Sequence, residues 1–196
     1  MAKSSWTVEG IRGERGFSLL EVLTATTIMT VALAALAQLF VISTQANASA
    51  KTTGYTTVLA QQKMEQLRGL TFGFDSQGLP ITDMTSVTTV YPENPTLPSG
   101  KGLTPSPPRT LGTNTDGYCD FVDKFGNTLG GGTTPPTGTV YIRRWSIEPI
   151  PTNPNNTLVI QVLVTRLNDR GAADQGAVKR LPEEARMITV KTRKAH

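Results

Sequence analysis

At 196 residues the chain has room for one domain of ordinary size with an appendage, and too little for a two-domain enzyme. Its 19 basic and 15 acidic residues leave a net charge of only +4 with no long basic run, so nucleic acid is not the expected partner. A single cysteine, Cys119, excludes an intramolecular disulfide and a multi-cysteine zinc site, and a single histidine, the terminal His196, excludes a histidine triad or histidine-rich metal cluster unless the terminus folds back.

Residues 1–16 set Lys3, Arg12 and Arg15 against Glu9 and Glu14, end in Gly16 and show no fold signal, so they read as a removable leader. From Phe17 to Thr53 there is neither glycine nor proline, and no residue from Val22 to Ala50 is charged. Residues 17–42 are therefore predicted to be helical and are long enough to cross a bilayer, which takes roughly 20 apolar residues. Residues 43–70 continue the helix in amphipathic form, with Val58, Leu59, Met64, Leu67 and Leu70 among glutamines, lysine, glutamate and arginine, and Gly69 and Gly73 end it. A helix from Phe17 to Arg68 would be ~80 Å long, more than a domain of this size buries, so half of it is expected to project.

All 13 prolines lie at or after Pro80, and residues 71–138 hold most of the Pro and Gly, with many Thr among them, which predicts long loops with short strands. Residues 139–196 change to strand patterning: Val140 to Ile147, Leu158 to Arg166 and Ala185 to Thr192 predict an antiparallel meander. In the second of these, Leu158, Ile160, Val162 and Val164 form a wholly apolar face that should lie against the amphipathic helix. The expected fold class is α+β, a long N-terminal helix on a small antiparallel sheet.

Glu21 stands near the start of an otherwise uncharged span, where a carboxylate costs about 2.5 to 3.5 kcal/mol at the bilayer centre and less near an interface. It needs a partner. The octet Gly16-Phe17-Ser18-Leu19-Leu20-Glu21-Val22-Leu23 resembles the cleavage and methylation site of type IV prepilins and type II secretion pseudopilins. That resemblance implies cutting by a prepilin peptidase between Gly16 and Phe17 on the cytoplasmic side, N-methylation of Phe17 by the same enzyme, and a single-pass inner-membrane subunit with its head in the periplasm. It further implies that the Glu21 carboxylate meets the new Phe17 amine of a neighbouring subunit, setting the register of assembly, with other pilin or pseudopilin subunits as partners and no cofactor. Two plainer readings stand beside it. Ser18 and Glu21 have the spacing of a helix capping box, and Ala48-Ser49-Ala50 before Lys51 has the small residues of a signal-peptidase site, whose use would release a secreted binding domain.

The segment Leu59 to Leu70, the pair Arg144-Trp145 and the last strand ending at Lys194 are similar to PilV-type minor pilins and the I-type minor pseudopilins. The lone Cys119 and the glutamine at position 38, in place of a disulfide loop and a helix-breaking proline in the span, point away from a major subunit. These features predict a structural subunit, not an enzyme, with a role in initiation or at the tip of a pilus or pseudopilus.

The remaining constellations carry less. Asp116, Asp120, Asp123 and Asn127 lack EF-hand spacing and read as solvated loop acids rather than a calcium site. Gly130-Gly131-Gly132 lacks the lysine of a phosphate loop and reads as a flexible turn. Alternation puts Arg144 on one face of its strand and Arg143 with Trp145 on the other, which makes Trp145 a core residue rather than a base-stacking platform. Lys191, Arg193 and Lys194 read as solvated charges at a frayed end.

Overall fold

The computed structural model describes residues 16–92, 97, 99–167 and 183–193. The leader over 1–15, the last three residues with Lys194 and His196, and part of the last predicted connection therefore lie outside the described residues. The chain divides into two compact units, Met1–Ala46 and Asn47–His196.

In the first unit the described residues are helical from Leu19 onward and exposed throughout. Glycine and proline are absent, leucine and alanine favour the helix, and the threonines that would weaken it bond backwards instead. The hydroxyls of Thr26, Thr27 and Thr30 donate to the carbonyls of Val22, Leu23 and Thr26 at 2.9, 2.8 and 2.7 Å. Each hydroxyl is thus satisfied within the helix itself, as a segment surrounded by lipid requires.

The second unit contains the rest of helix α1, which runs Leu19–Gly69 as one element. Its buried residues are Thr56, Leu59, Ala60, Lys63, Met64 and Leu67, a stripe spaced three and then one apart that turns one face to the sheet. Val58, counted with the apolar stripe on sequence, falls off it and is 62% exposed. Lys63 takes a place in the stripe instead.

Strands β1 (Phe72–Phe74) and β2 (Pro80–Thr82) pair as a short antiparallel ribbon. Strands β3 (Cys119–Val122), β4 (Thr128–Gly131), β5 (Tyr141–Pro149), β6 (Thr157–Arg166) and β7 (Ala185–Thr192) form an antiparallel sheet in the order β4-β3-β5-β6-β7. The expected meander is the β5-β6-β7 half, in which Trp145 opposes Val162 and Val162 opposes Met187. Four of the seven strands among the described residues come from residues read as mainly loop, and β3 adds to the meander by pairing with the edge of β5, Phe121 against Ile142. Gly130 and Gly131 lie within β4 and not in a flexible turn. A side chain at Gly131 would meet the Thr89 methyl at 2.6 Å and the Cys119 carbonyl at 2.7 Å, so a loop packs where only glycine leaves room.

The core between helix and sheet joins Leu59, Met64 and Leu67 to Trp145, Ile147, Leu158, Ile160, Val162 and Val164. The apolar face expected of β6 is the one that meets α1, and its four side chains contribute roughly 1.5 to 3 kcal/mol each. Phe72, Leu103, Tyr118 and Val122 belong to the same core, so the loop-rich middle of the chain supplies part of it. A second cluster of Cys119, Phe121 and Ile142 with Leu167 forms on β3 and β5.

Lys191 and Arg193 are built into the fold rather than left in solvent. The Lys191 ammonium donates to the carbonyls of Arg68 and Leu70, both at 2.6 Å, and so closes the C-terminal end of α1 with a cation where the helix dipole favours one. Arg193 donates to the carbonyls of Gly73 and Ile81 at 3.0 and 2.7 Å, and its guanidinium lies 4.2 Å from the Phe72 ring centroid.

Candidate processing and assembly site

The residues singled out at the N-terminus lie together at the start of α1. Gly16, Phe17 and Ser18 precede the first helical residue in non-helical backbone, Phe17 is 83% exposed, and a side chain added at Gly16 would meet nothing within 4 Å. The peptide between Gly16 and Phe17 is thus outside any regular element. An enzyme can take it as extended chain without first unwinding a helix. Glu21 lies in the first turn of α1. The backbone carbonyl of Ser18 accepts from the amides of Glu21 and Val22 at 3.0 and 3.1 Å, the first main-chain bonds of the helix. Among the described residues, no side-chain bond joins Ser18 to Glu21, and the reciprocal pair that defines a capping box is not formed. Among the described residues, no side chain bonds or pairs with the Glu21 carboxylate. Downstream, α1 is long and apolar enough to cross a membrane, while Ala48, Ser49 and Ala50 are mid-helix residues.

At the other end of the helix, a cluster that sequence reasoning missed joins α1 to the sheet. The Arg143 guanidinium grips Asp120 with two hydrogen bonds, Nε to Oδ1 and Nη2 to Oδ2, both 2.8 Å, and reaches Gln62 on α1 at 2.8 Å. Lys63 lies 2.7 Å from the same carboxylate and donates to Gln66 at 2.7 Å and to the Thr88 carbonyl at 2.5 Å. Its ammonium also stands 4.6 Å from the centroid of the Trp145 ring. Lys63, Asp120 and Arg143 are all completely buried. Two cations therefore share one carboxylate in a dry site, and the surplus positive charge rests on carbonyl and amide oxygens and on the indole face. Burial pulls the Lys63 ammonium down to about 8 against the attraction of Asp120, and the nearby Arg143 charge adds to the lowering.

This corrects the reading of Asp120 as a solvated loop acid, because β3 carries it inward opposite Arg143. The sequence signal available was alternation, which put Arg143 on the same face as Trp145 and so on the buried side, where an arginine requires a carboxylate. Asp123 stays in the β3–β4 turn, where its carboxylate accepts from the amides of Phe125 and Asn127 at 2.8 and 2.9 Å. Asp116 is exposed. No group of three or more His, Cys, Asp or Glu among the described residues is placed to hold a metal. Cys119 is buried, and its thiol, pushed up to about 11 mainly by burial, donates to the Gly132 carbonyl. It is a packed thiol and not a nucleophile.

Arg144 takes the opposite face from Arg143 and bonds Asn114 at 2.9 Å, as alternation along β5 required, while Trp145 is fully buried in the core.

Comparison with known protein families finds a match over part of the chain. Residues 11–37 match the family described as the prokaryotic N-terminal methylation motif, a stretch that contains Gly16, Phe17 and Glu21 together with most of the apolar segment. No curated protein and no solved structure matches the chain. The chain thus carries the type IV pilin and pseudopilin signature at its N-terminus, on an α+β architecture of one long helix and antiparallel sheets.

Proposed function

We propose that the chain is a minor pilin or minor pseudopilin subunit, made as a precursor and assembled from the inner membrane into a type IV pilus or type II secretion pseudopilus. In this reading residues 1–16 are the leader, the prepilin peptidase cuts between Gly16 and Phe17 on the cytoplasmic side, and Phe17 becomes the N-methylated first residue. Residues 17–42 stay in the bilayer, residues 43–70 complete the head, and 71–138 and 139–196 supply the loop-rich and meander parts of its sheet in the periplasm. The observation that carries the reading is a complete cleavage motif placed directly before an uncharged, solvent-exposed helix.

The mechanism is assembly and not turnover. An apolar helix moving from lipid into a bundle of like helices exchanges one apolar surrounding for another, so the transfer is nearly balanced and a motor can drive it either way. Glu21 makes the exchange selective: a carboxylate in an apolar bundle is stable only beside a cation, and the new Phe17 amine of the neighbouring subunit supplies one. Departures from the major-subunit pattern, the lone buried Cys119 and Gln38 within the span, favour a role in initiation or at the tip. The helical setting of Ala48 to Ala50 speaks against release after Ala50, since a signal peptidase acts on extended chain.

Glu21→Ala tests the assignment. Removing a charge from the span eases partitioning, so the variant should insert in the membrane as the wild type does but should fail to enter fibres or to retain partner subunits in a membrane pull-down. Normal fibre number and equal partner recovery would reduce Glu21 to a residue of the helix start.

A further inference from the structure

The two edges of the five-stranded sheet differ. At β4 the edge is short and covered: its pairing with β3 shifts register between Phe121 and Val122, the Thr128 hydroxyl lies 3.5 Å from the Tyr91 carbonyl, and the Thr89 side chain packs against Gly131. At β7 the edge is eight residues long, and its register with β6 runs unbroken from Thr192 opposite Thr157 to Ala185 opposite Val164. The Arg193 amide donates to the Asn156 carbonyl at 3.0 Å, which makes that pair a hydrogen-bonded one. By alternation Lys191, Thr189 and Met187 turn their main-chain groups to β6, while Arg186, Ile188, Val190 and Thr192 turn theirs away from it. These four are the exposed residues of β7, with Ile188 and Val190 62% and 57% exposed. The usual protections of an edge are missing: β7 has no proline, no bulge and no outward lysine, since Lys191 bonds the end of α1.

A row of outward N–H and C=O groups on every second residue is matched by another extended strand. Beside the second half of this edge, a cleft of about 610 Å³ between residues 190–192 and 68–74 leaves room for the side chains of such a strand. Arg186 is the one charged residue of the four, and no carboxylate bonds it among the described residues, so the strand that fits carries an acid at that position. A second copy does not meet these terms. Antiparallel pairing of β7 with β7 about a two-fold axis would run the α1 segments that lie on the two sheets in opposite directions, whereas subunits drawn from one membrane enter a fibre with their helices parallel. We propose that the free edge of β7 docks an extended segment of a different subunit, added as a sixth strand with apolar side chains beside Ile188 and Val190 and an acidic one beside Arg186. The inference rests on the reading of the chain as an assembly subunit.

The test uses the full-length protein in detergent micelles and, as the probe, the acetylated and amidated peptide Thr-Thr-Val-Thr-Val-Thr-Glu, whose glutamate falls opposite Arg186 in an antiparallel addition. Amide exchange read by NMR should be fast at Ile188 and Val190 in the free protein and slowed roughly tenfold or more by millimolar peptide, with Met187 and Thr189 slow throughout. N-methylation of the two peptide valines, whose amides face β7, should abolish the slowing. N-methylation of the threonines that follow them, whose amides face away, should not. No slowing, or equal slowing by both methylated peptides, overturns the proposal. So does slow exchange at Ile188 and Val190 in the free protein, which would mean that the chain covers its own edge, and so does slowing that grows with protein concentration alone, which would assign the edge to a second copy. In fibre-forming cells Ile188→Lys, which charges the edge, and Ile188→Pro, which removes one outward amide and leaves the β6 ladder complete, should each lower recovery of the subunit in fibres roughly tenfold at an unchanged membrane level. Wild-type recovery of either variant refutes the docking alone, whereas absence of the wild-type chain from fibres refutes the subunit reading itself.

Discussion

Leu33, Leu36, Leu39 and Phe40 in the first part of α1 and Leu59, Met64 and Leu67 in the second are side chains of one kind on one continuous helix, yet the first four are exposed and the last three are buried. The difference lies in what each half is given to pack against. The second half meets a sheet of its own chain, and its polar positions follow a strict stripe that even admits a lysine to the interior. The first half meets nothing within the described residues and is apolar around its circumference, which is stable only in lipid or among other helices. Helix formation is therefore common to both halves, while the surrounding each one needs is written in the distribution of charge.

Removing one half or the other should break this contrast most visibly. A chain lacking residues 1–45 should remain a soluble, cooperatively unfolding monomer, because the stripe from Thr56 to Leu67 and the sheet share one core. A chain lacking residues 1–72 should expose Leu158, Ile160, Val162 and Val164 and associate. Circular dichroism and sizing of the two fragments compare them, and equal solubility and cooperativity would mean that α1 does not complete the core.

Within the buried half, Asp120→Asn should cost about 3 to 5 kcal/mol in denaturant unfolding of the fragment 46–196, since Lys63 and Arg143 would then be buried without a carboxylate. Lys63→Met should cost clearly less, because it leaves a neutral Asp120–Arg143 pair with its two hydrogen bonds. Equal losses would show that the lysine, and not the shared carboxylate, organises the cluster.

The pH dependence separates the same two charges more finely. Lys63 has its folded value lowered to about 8, so from about pH 8 upward the unfolded chain holds a proton that the folded head has released. Stability from this group should therefore rise with pH. The window to measure is about pH 8 to 9, because above the ordinary thiol value the raised Cys119 works in the opposite sense, its protonated folded form losing stability as pH rises. The wild type should gain on Lys63→Met across that window, and parallel curves would contradict a protonated, burdened Lys63. The smallest effects belong to the ends of the stripe: Lys191→Met should lose about 0.3 to 1 kcal/mol of helix-end stabilisation, and Val58→Ala, off the stripe, should stay within about 0.5 kcal/mol.

How far the sequence could be read follows from which interactions are local. The helix, its apolar first half and the β5-β6-β7 meander depend on periodicity and on the absence of glycine and proline, and these were legible. The apolar face of β6 and the opposite faces of Arg143 and Arg144 followed from alternation alone. Strands β3 and β4 were not legible, because Cys119–Val122 is only four residues long and lies between glycine-rich turns, and its pairing with β5 is a contact between distant segments. With β3 unseen, Asp120 had no reason to be inside and Lys63 looked like a helix-surface charge. The inward Lys191 and Arg193 were missed for a related reason, since their acceptors are main-chain carbonyls, which no residue pattern announces. At the N-terminus the position is reversed: Gly16, Phe17 and Glu21 are singled out by resemblance alone, and the fold around them adds only exposure and the start of a helix.

The central claim, that the exposed half of α1 is kept and begins at a processed Phe17, is tested most directly by the intact mass and N-terminal sequence of the protein isolated from membranes. The account predicts a chain lacking residues 1–16 and carrying one added methyl group on the amine of Phe17. A mature protein that begins at Lys51 would contradict it, because the apolar half would then be a discarded signal and the head a secreted domain.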